Sequence, residues 1–212
     1  MSTETEYYKY PRTPHLPWSP GADEDDIIID TVDAFVGKEV VVTEKMDGEC
    51  TTMYKNHIHA RSTTSSYHPS RTWVQALHAQ VGYRLQDNQR ICGENMFWVH
   101  SIVYTSLKSY FLMFNMWEDD TCLSWDDTVK YAEKLELTMV PVLYRGVFDE
   151  DVIKALWSDD KYDTMEGYVV RLADSFKRDD FQQSIAKFVR KGHVQTDEHW
   201  MRSGGELNML RV

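Results

Sequence analysis

The sequence predicts an α+β domain of antiparallel sheets with flanking helices, and three observations carry that prediction. Strand-like segments outnumber helical ones, and the two types do not alternate regularly. The Asp47-Gly48 pair marks a tight turn between two strand-like runs. The 212 residues suffice to bury a substantial core. A single domain over residues 1–212 is expected, with residues 1–38, rich in Pro, Asp and aromatics, as an irregular N-terminal arm.

The elements follow in order. Residues 39–43 (EVVVT) are a β-branched run and predict a buried strand. Residues 50–54 and 58–61 read as the next two strands. In residues 72–85 the spacing of Trp73, Leu77, Val81 and Leu85 predicts a helix, with Thr72 as its N-cap. Residues 90–94 and 110–117 read as strands around a looser aromatic segment. A helix over 124–135 opens on a Ser or Asp cap, a strand covers 140–144, and a second helix covers 150–157. Strands over 165–172 and 184–190 close the pattern.

Composition narrows the function classes. No apolar run approaches the ~20 residues that span a bilayer, and the first residues lack a signal-peptide pattern. Cys50, Cys92 and Cys122 are too few for a disulfide framework and too scattered for a zinc knuckle, so a reducing cytoplasm is expected. A net charge of −11 argues against a protein that grips nucleic acid over its whole surface. Lys177, Arg178, Lys187, Arg190 and Lys191 suggest a local basic seam on that acidic body. His57 and His59 lie two apart on a strand, but no third ligand is evident beside them.

The most informative stretch is Glu44-Lys45-Met46-Asp47-Gly48-Glu49, just after the first buried strand. Taken alone, a lysine and glycine there read equally well as a surface turn. As chemistry, Lys45 is a candidate nucleophile, since covalent catalysis splits one hard displacement into two easier ones. A free lysine titrates near ~10.4, so a metal ion or other lysines must sit close for it to react. The nearby carboxylates suit an ion such as Mg²⁺ that keeps water and substrate phosphate in its shell.

KMDGE resembles motif I (KxDG) of the covalent nucleotidyltransferases, which comprise DNA ligases, RNA ligases and mRNA capping enzymes. Further stretches follow in that family's order. Arg61 in HARSTTSS resembles the motif that contacts ribose and phosphate, and Glu94 in GEN resembles motif III, whose acid holds the ribose. YFLMFNMW resembles motif IIIa, with Phe114 as the aromatic stacked on adenine, although its apolar run also reads as core. Glu166 in EGYVVR resembles the metal-binding acid of motif IV, and Lys187 in KFVRK resembles the phosphate-touching lysine of motif V. EGYVVR, KFVRKGH and YPRTPHLPWSPG are most similar to RNA ligases of the phage RNA ligase 2 type.

That resemblance implies a nucleotidyltransferase (ATP-grasp-like) ligase catalytic domain that forms a lysyl-AMP and then seals RNA. Lys45, Asp47 and Lys187 would be catalytic, and Glu44, Lys45, Met46, Arg61, Glu94, Phe114, Glu166 and Lys187 would bind ATP. Glu166 would hold Mg²⁺ or Mn²⁺. RNA, as a nicked duplex or broken ends, would be the partner, with another protein as a possible source of nucleic-acid contacts.

The sequence departs from the pattern twice. Where family members carry a second basic residue in motif V stands Val189, leaving Arg190 or Lys191 to supply that charge. Only 21 residues follow Lys191, so no separate oligonucleotide-binding or helical C-terminal domain is expected. Two other readings remain open: a capping-type guanylyltransferase, and a non-catalytic nucleotide- or RNA-binding relative.

Overall fold

The computed structural model describes residues 6–193 and 205–212. Among these the chain forms β1 (Glu39–Lys45), β2 (Glu49–Tyr54), β3 (Ile58–Ala60), α1 (Thr72–Val81), β4 (Gln89–Asn95) and β5 (Phe111–Glu118). There follow β6 (Thr121–Cys122), α2 (Trp125–Leu135), β7 (Thr138–Met139), β8 (Val142–Val147) and α3 (Glu150–Lys154). β9 (Gly167–Leu172), β10 (Phe176–Lys177), α4 (Phe181–Ser184) and β11 (Ile185–Val189) complete the order.

Two sheets result. One has the order β11-β9-β1-β8, and the other runs β10-β6-β5-β4-β2-β3, with β7 beside β5. Pairing is antiparallel except between β5 and β7, so the α+β class holds. β1 belongs to the first sheet and β2 to the second, so residues 46–48 are where the chain crosses between sheets. Gly48 makes that crossing possible, because a Cβ there would lie 2.6 Å from the Asn95 carbonyl and 2.7 Å from Met96 Sδ.

The apolar run of β1 is explained by burial on both faces. Val40 and Val42 pack with Leu16, Phe35, Tyr168 and Val170, whereas Val41 packs on the opposite side with Met46, Met96, Leu112 and Trp125. Along β5, Phe111 and Met113 meet Val74 and Val81 of α1, while Leu112 and Phe114 face the other way. Side-chain alternation thus lets two strands serve several cores.

The helices confirm their positions but not all their limits. α2 opens on Ser124, whose Oγ accepts from Asp127 N at 3.2 Å, and ends where Glu136 turns left-handed with φ of 59°. Thr72 is not an N-cap. It is the first residue of α1, and its hydroxyl donates to Pro69 O at 2.8 Å, because a short 3₁₀ turn over Pro69–Arg71 leads directly into the helix. α1 also stops at Val81 and tightens into a 3₁₀ turn, and α3 stops at Lys154, short of the expected residue 157. β6, β7 and β10 are two-residue strands with no periodic signature in the sequence.

The arm is irregular but is part of the core. Lys187 N donates to Pro14 O and Leu16 N to Lys187 O, both at 2.8 Å, so residues 14–16 cover the free edge of β11. Leu16 and Phe35 are fully buried. Leu16→Ala is therefore expected to destabilise the domain by about 2–5 kcal/mol in urea melts. A loss within about 0.5 kcal/mol, the size of a surface change, would mean the arm is not part of the cooperative unit.

Candidate active site

A cavity of about 950 Å³ opens between the two sheets, of a size that accepts a nucleotide. All nine residues singled out from the sequence line it: Glu44, Lys45, Met46, Asp47, Arg61, Glu94, Phe114, Glu166 and Lys187. They come from four strands, β1, β4, β5 and β11, and from connections, which explains why no short segment of sequence carries the site. β1 delivers Lys45 at its end, opposite Gly167 in register, and Glu166 immediately precedes β9. Glu94 reaches the same space from β4, across from Cys50.

Lys45 Nζ donates to Glu166 Oε1 at 2.5 Å. Glu166 is buried, and only a quarter of the lysine side chain is exposed. Burial pushes the Lys45 amine down, but Glu166, Glu94 and Asp47 together outweigh it and hold the amine above its ordinary value. The acidic neighbours therefore dominate over the expected cationic cluster. Lys187 behaves in the opposite way: burial, then the charge of Lys45, lowers it to about 8.

Three carboxylates thus surround one ammonium, and they cannot all ionise at ordinary cost. Glu94 is pushed up to about 8, chiefly by burial, with Glu166 and Asp47 opposing its ionisation and Lys45 favouring it. Asp47 is oppositely treated. Burial raises its carboxyl, but hydrogen bonding to His193 and to the Ser101 N–H holds it below its ordinary value. Asp47 Oδ2 accepts from Ser101 N at 2.7 Å and Ile102 N at 2.8 Å, while Asp47 N donates to the Tyr104 hydroxyl at 3.1 Å.

His193 was not singled out by sequence reasoning. Its Nε2 lies 3.4 Å from Asp47 Oδ1 and 3.3 Å from Glu166 Oε1. The ligand atoms of Asp47, Glu166 and His193 all fall within 4.8 Å of one another. Octahedral neighbours around an ion with ~2.1 Å bonds are roughly 3 Å apart, so this oxygen and nitrogen set fits a divalent cation with little movement. The only sequence signal was the position of His193 in KFVRKGH, a few residues after Lys187 and the end of its strand. His57 and His59 are elsewhere, with ring centroids 5.6 Å apart, and neither belongs to this group.

The remaining lining divides by chemistry. Phe114 is half-buried at the cavity wall, with Tyr10 edge-on at 5.3 Å, so it serves the core and presents a face to the cavity. Arg61 lines the exposed rim, and Arg71, also missed from the sequence, holds Glu49 through both of its carboxylate oxygens. Arg171 is buried and donates to Asn115 Oδ1 at 2.5 Å and Leu123 O at 2.8 Å, bridging the two sheets behind the cavity.

The structure explains the Val189 departure. Val189 is fully buried under the arm, with its N–H on Ser19 Oγ at 2.9 Å and its carbonyl accepting from Gly21 N at 2.9 Å. A Cβ on Gly21 would lie 2.9 Å from Val189 Cγ1, so the arm occupies the space that a lysine would need. Arg190 does not substitute. It is buried, lies over the Tyr162 ring at 4.1 Å, and is not among the cavity residues, while Lys191 is exposed. The basic seam is likewise divided, because Lys177 and Arg178 bind Thr121 and Asp120 beside β6.

This fold and lysine-centred carboxylate pocket are those expected of the nucleotidyltransferase class. Residues 38–189 match the RNA ligase family model, and the chain belongs to that family. Among curated proteins, none matches significantly. The fold is similar to solved structures of Naegleria gruberi RNA ligase. An apo mutant gives a TM-score of 0.53 at 17% identity, over 75% of this chain and 51% of that one. The structure with PPi gives 0.52 at 20% identity, over 75% and 51%, and a mutant with ATP and Mn gives 0.52 at 18%, over 75% and 52%. This chain spans about half the length of those proteins.

The raised pKa of Glu94 sets a pH dependence. The fold favours the protonated form, so its contribution is full below about pH 4.5 and is lost as pH rises through about 8. Glu94→Gln, neutral throughout, is expected to gain stability relative to the parent as pH rises across that window. Denaturant melts at both ends of the window test this, and a constant difference would contradict it.

Proposed function

We propose that this chain is the adenylation domain of an ATP-dependent RNA ligase and that Lys45 is its nucleophile. The observation that carries the reading is the Lys45 amine, held on Glu166 at 2.5 Å inside a cavity lined by every residue that the motifs single out. ATP binds with adenine against Phe114 and its amino group near Glu44. Met46 packs beneath the nucleotide, and Glu94 meets the ribose. Arg61 and Lys187 neutralise the phosphates.

After its ammonium passes a proton to water, Lys45 Nζ attacks the α-phosphorus in line. The N–P bond forms as the P–O bond to pyrophosphate breaks. The 5′-phosphate of an RNA end then takes the AMP, and a 3′-hydroxyl displaces AMP to join the strands. Asp47 orients the lysine turn.

Asp47, Glu166 and His193 would hold the divalent ion, Mg²⁺ or Mn²⁺, whose charge neutralises phosphate and competes with the ammonium for Glu166. Nicked duplexes or broken RNA ends are the proposed substrates. The net charge of −11 favours a protein partner that adds nucleic-acid contacts. Free Cys50, Cys92 and Cys122 fit a reducing compartment, for which we propose the cytoplasm. No helix among the described residues is long and apolar enough to cross a membrane.

Incubation with a divalent ion and α-labelled ATP or GTP, followed by a denaturing gel, tests the reading. A band from ATP that disappears in Lys45→Ala is expected, with severe loss in Glu166→Ala and Lys187→Ala. Label retained by Lys45→Ala would overturn the assignment, and label from GTP alone would favour a capping-type enzyme. Phe114→Ala should weaken ATP binding by roughly tenfold, about the 1.4 kcal/mol of a good aromatic contact. His193→Ala should raise the ion concentration needed for half-maximal labelling and weaken ion binding measured by calorimetry. An unchanged ion affinity would remove His193 from the site.

A further inference from the structure

We propose that Asn208 is a positioning residue for Asp47, acting through the loop of residues 97–104; its catalytic consequence rests on the adenylation reading above. Asp47 owes its orientation to that loop, which places two successive backbone N–H groups, Ser101 and Ile102, on one carboxylate oxygen. Tyr104 adds a hydroxyl that accepts from the Asp47 N–H. Two adjacent amides aimed at one anion form a cradle that works only while the loop keeps one shape.

Among the described residues the chain between β4 and β5 forms no helix, and its ladder contacts are the isolated bridges Trp98 to Leu207, within the loop, and Leu107 to Leu210, just after it. Both bridges lead to the segment 205–212, which lies beyond the residues that match the family model. Asn208 is the centre of that segment and is 1% exposed. Its Oδ1 accepts from Tyr104 N at 2.8 Å, and its Nδ2 donates to Met96 O at 2.8 Å and Trp98 O at 3.2 Å.

One amide therefore binds the start and the end of the loop together. Main-chain bonds reinforce it: the Asn208 carbonyl accepts from the Tyr110 hydroxyl at 2.9 Å, and Met209 N donates to Tyr104 O at 2.8 Å. The residue type follows from the chemistry, since the position needs an acceptor and two donors on one short side chain. Aspartate would keep the bond from Tyr104 but place a carboxylate against two carbonyls. Leucine would keep the volume and lose all three bonds. The path runs from Asn208 to Tyr104, Ser101 and Ile102, and from these to Asp47, two residues from Lys45.

Asn208→Leu tests the inference by two measurements. Hydrogen exchange at the Ser101 and Ile102 amides should accelerate by at least roughly tenfold while amides of β1 and β4 keep their protection. Single-turnover formation of the lysyl adduct at saturating ATP should slow about tenfold or more, with ATP affinity changed by less than about threefold. Should Asn208→Leu not fold, Asn208→Asp, which keeps the Tyr104 bond, is read at the same two amides.

Unchanged exchange at Ser101 and Ile102 would overturn the inference. So would exchange that rises equally throughout the domain, or a rate and an affinity that fall together, because these are the marks of general loosening. Failure of the parent protein to form any adduct would overturn the adenylation reading instead, and the exchange result would still decide the role of Asn208.

Discussion

The ion pair between Lys45 and Glu166 is the interaction on which the rest of the site depends. At 2.5 Å, with the carboxylate buried, it fixes where the amine sits and which proton state it prefers. The surroundings oppose reactivity in the nucleotide-free protein, since Glu94 and Asp47 add to the stabilisation of the ammonium. A lysine so held is stored in an unreactive form. In the proposed reaction its release would require positive charge on the same carboxylates, which a divalent ion and Lys187 would supply. Surplus negative charge therefore holds the Lys45 amine protonated, and the same carboxylates offer oxygen atoms to a cation.

The architecture is arranged to keep that pair in register. β1 is buried on both faces, so its end cannot shift without disturbing two cores. The chain then crosses between sheets in three residues, and Gly48 alone allows the close approach to Asn95 and Met96. The arm closes the edge of β11 beside Lys187, and the segment 205–212 ties down the loop that holds Asp47. Two irregular segments outside the regular sheets thus stabilise the two sides of one pocket.

Much of this was legible in the sequence because it rests on local pattern. EVVVT announced a buried strand, a Ser or Asp cap announced the start of α2, and the ordered motifs named nine residues that line one cavity. What the pattern missed depends on tertiary contact. Thr72 has the chemistry of a cap, but the 3₁₀ turn before it supplies the first turn of the helix. Val189 looked like a lost basic residue, and only the arm lying across it shows why a lysine has no space there. His193, Arg71 and Asn208 have no periodic or motif signature of their own, because each acts on a residue far away in sequence. The raised amine of Lys45 was also beyond reach, since it depends on how Glu94 and Glu166, distant in sequence, converge with neighbouring Asp47.

The most direct test of this account is the titration of Lys45 itself, followed through the ¹³Cε resonance of selectively labelled lysine. In ion-free protein the amine should titrate above the ordinary lysine value, and Glu166→Gln should bring it down. Addition of Mg²⁺ to the parent protein should shift it in the same direction. An amine already below the ordinary value without ion or nucleotide, or one indifferent to Glu166→Gln, would contradict the claim that this carboxylate governs Lys45, the proposed nucleophile.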